Sequence, residues 1–221
     1  MTTRALLDAR YNFTRQYLST AKEAAKQART IENKYADRSP TEHVRSKHLG
    51  FVTSAVFHSY AAIEAEMWSI LNHGPGHHLG SNGVDQAVLR MLAPLASLLE
   101  REDVHSKSQT ILHVLQKPAL PTGKGVTQKL ILLARLRNEL VHYKSRWNAH
   151  ATEAKFVRGL KAQKFEIPPF RRDAAVYFPL QVLGASCADW CVQTSYEFLQ
   201  GFYECLGVQP PLRNFKPVSR R

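Results

Sequence analysis

The sequence predicts an all-α protein, a single helical bundle of about five to seven helices, and three observations carry that expectation. Apolar residues recur at three- and four-residue spacing through most of the 221 residues. No run alternates apolar and polar residues for long enough to suggest a sheet. Proline and glycine fall between the periodic runs, at His73-Gly74-Pro75-Gly76, Lys117 to Val126 and Pro168-Pro169, where they punctuate the chain.

Thr3 to Ala36 reads as one long helix, with Leu6, Leu7, Tyr17, Leu18, Ala21, Ala24, Ala25 and Ala28 on a broad apolar side. Alanines at that density let neighbouring helices approach closely, so this is a packing element. Ser39-Pro40-Thr41-Glu42 forms a capping box with proline at the first helical position and starts a second long helix that runs to about Asn72. Its stripe is Val52, Val56, Tyr60, Ile63, Met67 and Ile70, with Glu64 one turn from Tyr60. A carboxylate beside an apolar face needs a partner. Val84 to Glu100, interrupted at Pro94, and His105 to Gln116 read as shorter helices. Lys129 to Arg146 is a central helix, Ala151 to Lys164 another, and Pro179 to Leu206 closes the bundle with Gly207 as its stop. Residues 1–208 are expected to form one domain, and 209–221 a basic, flexible tail.

Bulk properties narrow the function classes. With 44% hydrophobic and 22% charged residues the chain is an ordinary globular one, without the 18 or so unbroken apolar residues of a membrane helix. The charged N-terminus lacks the apolar core of a signal peptide, so a cytoplasmic protein is expected. Cys187, Cys191 and Cys205, odd in number and all late, do not form a secreted disulfide framework. The net charge of +12 favours polyanionic partners.

One segment has residue choices that folding alone does not explain. In KLILLARLRNELVHYKSR, Lys129 to Arg146, the residues Leu132, Leu133, Leu136, Leu140 and Tyr143 gather on one side of a helical wheel as a core stripe. On the opposite side Leu130, Ile131, Ala134 and Val141 surround Arg137, Asn138 and His142. A helix apolar on two sides has something packed on each, here the domain's own core and a second subunit or a cleft. Arg137 and His142 lie about 140° apart, with Asn138 between them, so all three can edge one groove. That combination suits phosphate chemistry. Arginine presents a forked, permanent charge to phosphate oxygens, and histidine moves protons near neutrality.

Arg137-Asn138-Glu139-Leu140-Val141-His142 resembles the R-x-x-x-x-H signature of HEPN domains, in the form with Asn after Arg. The likeness of pattern extends upstream to Ala61 to Leu71 and spans about Ser39 to Lys164. Arg38 and His43 share the spacing but straddle a helix start at Ser39-Pro40. The resemblance implies an all-helical domain that dimerises so that two motifs face each other, and a metal-independent ribonuclease without cofactor. His142 would deprotonate or position a ribose 2′-hydroxyl, Arg137 would stabilise charge on the attacked phosphate, and Asn138 would hold either. If the second helix packs beside the motif, Glu64, near Tyr60, could orient His142 or pair with Arg137. The alternative is a non-catalytic module that holds RNA or a nucleotide in the same cleft. Some family members are toxins modified on a tyrosine two positions after the histidine. Lys144 stands there, with Tyr143 one position early, which argues against that modification and leaves another antitoxin or defence partner open.

Between Lys144 and Arg172 lie eight basic residues against Glu153 and Glu166, so half of the chain's excess charge follows the motif directly. Lys144, Arg146, Lys155 and Arg158 are the expected RNA-binding cations. Trp147, Phe156, Phe165 and Phe170 are interleaved with them and are expected to be core in the main, although such a mix can stack bases. A metal site at the adjacent His77 and His78 is not expected, since their side chains diverge and no cluster with ligand spacing accompanies them. Gly123-Lys124-Gly125 lacks the full phosphate-loop pattern, which argues against an NTPase.

Overall fold

The computed structural model describes residues 12–73, 78–123, 125–143, 155–212 and 215–217. Among them the secondary structure is entirely helical. Nine α-helices follow in order: α1 (Thr14–Lys34), α2 (Glu42–His73), α3 (His78–Ser81), α4 (Gln86–Arg90), α5 (Leu95–Leu98), α6 (Val104–Val114), α7 (Val126–Val141), α8 (Lys155–Ala162) and α9 (Ala185–Leu206). The count exceeds the expected five to seven because α3, α4 and α5 are single turns. Pro94 stands at the N-cap position of α5, in the turn between α4 and α5.

Each long helix has a local reason for its ends. The Asn12 side chain accepts the Thr14 N–H at 2.8 Å, an Asx turn that opens α1. The second helix begins at Glu42, two residues after Pro40, and Thr41 accepts its first carbonyl bond, from Arg45 N–H at 3.0 Å. Asp103 caps α6 by accepting Ser106 N–H at 2.9 Å. Gly207 ends α9 at φ +73°, where its own N–H and that of Val208 turn back to Glu204 and Tyr203. Pro179 lies outside α9, in a kinked turn at Tyr177–Gln181, so the closing helix is shorter than its sequence suggested.

The core forms where α1, α2 and α9 pack together, and α7 lies on α2 and α9. Ala21, Ala24, Ala25 and Ala28 are buried and set the close approach of α1. The central element is α2, buried at Val52, Ala55, Val56, Ala62, Ile63, Met67 and Ile70, which is more than one stripe because it has neighbours on several sides. Trp190, Phe198, Phe202 and Tyr203 from α9 supply the bulk; each such side chain contributes about 1.5–3 kcal/mol on leaving water. Cys187 and Cys191 are buried and free, small residues on a core helix, and Cys205 is half-buried.

Two buried polar centres lock the three helices. Glu66, fully buried on α2, accepts from Thr14 Oγ1 (2.6 Å), Asn12 Nδ2 (2.8 Å) and the Tyr203 hydroxyl. Burial, then the Glu66 charge, pushes the Tyr203 phenol well above its usual range. Glu32, on α1, lies 2.8 Å from His48 Nε2 on α2 and accepts Ala185 N–H at 2.7 Å, so it caps α9 from a distance. Arg29 bridges Asp189 (3.0 Å) and Glu166 (2.6 Å) beside it. Burial raises the Asp189 carboxyl, and Arg29 opposes that rise. A buried charge without such partners would be expensive.

The chain beyond α9 returns to the bundle. Leu212 and Phe215 are buried, Phe215 against Tyr196, so the segment expected to be a flexible tail from residue 209 carries two anchored side chains. No described helix is long and apolar enough to cross a membrane.

Candidate functional site

Contacts along its length fix the rotation of α7. Gly125 starts it at φ +63°, a conformation that favours glycine, and Thr127 Oγ1 donates to Pro121 O at 2.7 Å. Lys129 bridges to Glu197 of α9 at 2.9 Å. Leu130, Leu133 and Leu136 are buried, and Leu132 and Leu140 are partly so. The core face is therefore turned relative to the expected stripe. Leu130, assigned by the wheel to the far side, belongs to the core, whereas Tyr143, assigned to the core, is 50% exposed. The wheel fails at Tyr143 for a simple reason. The helix ends at Val141, and His142 is its C-cap, with φ −108° and ψ 32° and its N–H on Asn138 O at 2.9 Å.

This rotation half-buries Arg137 against α2. Its guanidinium stands 5.7 Å from the centre of the Tyr60 ring, and Nη1 donates to Asn138 Oδ1 at 3.0 Å. Among the described residues no carboxylate forms an ion pair with it. Tyr60 is nearly buried, and its phenol is pushed up to about 12. Burial is the chief cause, followed by the negative charges of Glu64 and Asp103. Arg137 and a hydrogen bond from Val104 N–H act in the opposite direction. Tyr60 thus ties three elements together, as part of α2, beneath Arg137 of α7 and on the first N–H of α6.

Asp103 is the participant that sequence reasoning missed. Its N-cap pattern, Asp103 with Ser106 three residues on, was legible, but its placement beside Tyr60 required the packing of α6 on α2. Glu64 is half-buried and acts on Tyr60 through its charge; among the described residues it forms no ion pair with Arg137 or His142. Asn138 and His142 are exposed, with Ile131 (41% exposed) and Val141 (49%) on the same outward side. Arg137, Asn138 and His142 therefore lie at one end of α7. The expected pairing of Glu64 with the motif is replaced by the Tyr60 contact.

Of the expected RNA-binding cations, Lys155 and Arg158 are exposed on α8, and Lys144 and Arg146 lie outside the described residues. Phe156 and Phe165 are buried, and Phe170 packs edge-on against His48 at 5.0 Å, so these aromatics serve the core. Trp147, like His77, lies outside the described residues. A Cβ at Gly159 would lie 3.1 Å from Leu132 Cδ1, so this glycine lets α8 close on α7. Among the described residues no three His, Cys, Asp or Glu side chains group as metal ligands.

Compared with protein-family models, with curated proteins and with solved structures, the chain matches none.

Proposed function

We propose that this chain is a HEPN-like ribonuclease that cleaves RNA without a metal or cofactor, through attack of a ribose 2′-hydroxyl on the adjacent phosphate to leave a cyclic phosphate end. The observation that carries the reading is Arg137: a half-buried guanidinium over a neutral phenol, held by Asn138 and paired with no carboxylate among the described residues. A charge so placed is available to an anion, and a forked donor suits two phosphate oxygens at once. In this mechanism Arg137 stabilises the charge that grows on the phosphate and His142 takes the hydroxyl proton; the 2′-oxygen–phosphorus bond forms as the bond from phosphorus to the 5′-oxygen breaks, and that oxygen leaves as a 5′-hydroxyl with a proton from solvent or from His142. The five-residue step from Arg137 to His142 corresponds to about 7.5 Å of helix rise, within reach of one nucleotide for the two side chains.

The exposed Ile131 and Val141 beside the motif support a homodimer that brings two α7 helices together. A cytoplasmic setting with an antitoxin or defence partner completes this reading. Incubation with RNA in excess chelator, beside Arg137→Ala and His142→Ala, tests it. Cleavage by the wild type alone, with cyclic phosphate ends and with DNA of the same sequence left intact, supports the proposal. Silence of all three folded proteins refutes it.

A second reading, a non-catalytic RNA- or nucleotide-binding module, is favoured by one observation. His142 is exposed at a helix end, and among the described residues no side chain orients its ring. A general base needs that orientation.

A further inference from the structure

The proposed function leaves aside a group of side chains just beyond the motif. Tyr143, directly after His142, is half-exposed and stands 6.4 Å from Phe178, ring centre to ring centre. Phe178 is itself half-buried and rests edge-on against Phe156 of α8 at 5.3 Å. The neighbouring Tyr177 is half-buried, with the Lys161 ammonium 5.3 Å from its ring centre. Arg158, one turn before Lys161 on α8, is exposed and has no ion pair among the described residues. Three partly exposed aromatic rings therefore lie just beyond the motif and beside α8, the helix that carries Arg158 and Lys161.

We propose that Tyr143, Phe178 and Tyr177, with Arg158 and Lys161, form a stacking platform for single-stranded nucleic acid. The proposal deepens the ribonuclease reading by naming the strandedness of the substrate, and it rests on that reading only for the identity of the strand as RNA. Two features select this occupant. From Lys155 to Asp173 six basic residues stand against Glu166 and Asp173, so the surface favours a polyanion. Glu166 is already engaged by Arg29 at 2.6 Å. An acidic peptide would answer the charge but would leave the ring faces unused. Bases offer π-faces to aromatic rings while the backbone phosphates meet the cations, and only an unpaired strand has bases free to do so. The rings belong to different parts of the chain, the end of α7 and the turn before α9. Phe178 is the joint between them because it touches both Tyr143 and Phe156.

The test uses a fluorescent single-stranded DNA oligonucleotide, which lacks the 2′-hydroxyl and so survives, and the same oligonucleotide as a duplex. Anisotropy titrations are run with the wild type and with Tyr143→Leu, Tyr177→Leu and Arg158→Ala, each checked for helical content and melting. The single strand is expected to bind at least tenfold more tightly than the duplex. Each leucine variant should weaken single-strand binding about fivefold or more, as expected for loss of one stacked base, and leave duplex binding unchanged. Arg158→Ala should lower the slope of log affinity against log salt by about 0.7. Equal affinity for both forms, unchanged binding by folded leucine variants, or equal displacement by polyglutamate overturns the platform. Aromatic-dependent binding without RNA cleavage leaves the platform standing and removes the ribonuclease. Cleavage with unchanged binding by the leucine variants does the reverse.

Discussion

Gly184 and Gly201 both belong to the closing helix, as N-cap and interior residue, yet alanine is predicted to act oppositely at the two positions. The backbone at Gly184, φ −128° and ψ 178°, is ordinary extended geometry, so conformation gives no reason for glycine there. Space does. A Cβ would stand 2.7 Å from Pro168 Cγ and 3.0 Å from Glu32 Oε1. Ordinary carbon contacts lie at about 3.5–4.0 Å, so something must move by most of an ångström. The proline is buried, and Glu32 is held by His48 at 2.8 Å and by Ala185 N–H at 2.7 Å. Overpacking of this kind costs about 1–3 kcal/mol, and loosening a hydrogen bond to a carboxylate about 1.5–3 kcal/mol. Because relief of one strain lessens the other, Gly184→Ala is expected to destabilise by about 2–4 kcal/mol. In a chain of this size that lowers Tm by roughly 5–15 °C. At Gly201 nothing beyond the adjoining residues and backbone of its own helix lies within 4 Å of the added methyl, and alanine gains about 0.5–1 kcal/mol from helix propensity. Urea unfolding followed by circular dichroism measures both. Gly184→Ser separates space from capping, since serine is the better N-cap and should stabilise if the site were open. A neutral or stabilising result for both substitutions at Gly184 would refute the tight contact between Glu32, Pro168 and the start of α9.

Four further outcomes are expected. Arg137→Lys keeps the charge but loses the fork, and should lower RNA cleavage about 10²–10³-fold in a single-turnover assay. Ile131→Asp with Val141→Asp should convert a sedimenting dimer to a monomer while each change shifts stability by no more than about 0.5 kcal/mol, both positions being exposed. The Tyr60 phenol, pushed up to about 12 from its ordinary 10, favours the folded state below pH 10, and that contribution is lost as pH rises through 12. It amounts to about 3 kcal/mol, so Tyr60→Phe should flatten the fall in stability between pH 10 and 12 in chemical denaturation; an equally steep fall counts against the burial of that phenol. A thiol reagent should meet Cys205 first in the native protein, with Cys187 and Cys191 reacting only on unfolding, since both are buried and burial raises the Cys191 thiol well above its usual range.

Much of the fold was written locally. The alanine face of α1, the stripe of α2 and the stop at Gly207 are consequences of side-chain size, periodicity and backbone freedom, which act within a few residues. Phe156 and Phe165, expected to be core, are buried. The rotation of α7 was not written in this way. Its wheel carried two apolar faces, and periodicity measures a residue only against its own helix axis. Which face turned inward depended on Leu130 finding the core together with Leu133 and Leu136. Glu66 illustrates the same limit from the other side. In the sequence it is one more charge on a helix, and only the arrival of Thr14 and Tyr203 from α1 and α9 makes its burial tolerable.

The sequence by itself therefore determined an all-helical class, the main helices and breaks and the basic balance, but it carried the motif helix on to Arg146 and so put Arg137, Asn138 and His142 in mid-helix, not at the end of α7. Tertiary structure alone decided that Arg137 stacks over Tyr60, that Asp103 and Glu64 lend their charge to that phenol, and that Tyr143, Phe178 and Tyr177 come together beside α8. The physical reason is one of range. Helix formation and capping are settled by neighbours within a turn, whereas a site depends on which faces several helices bury together, and that is a property of the whole packed core.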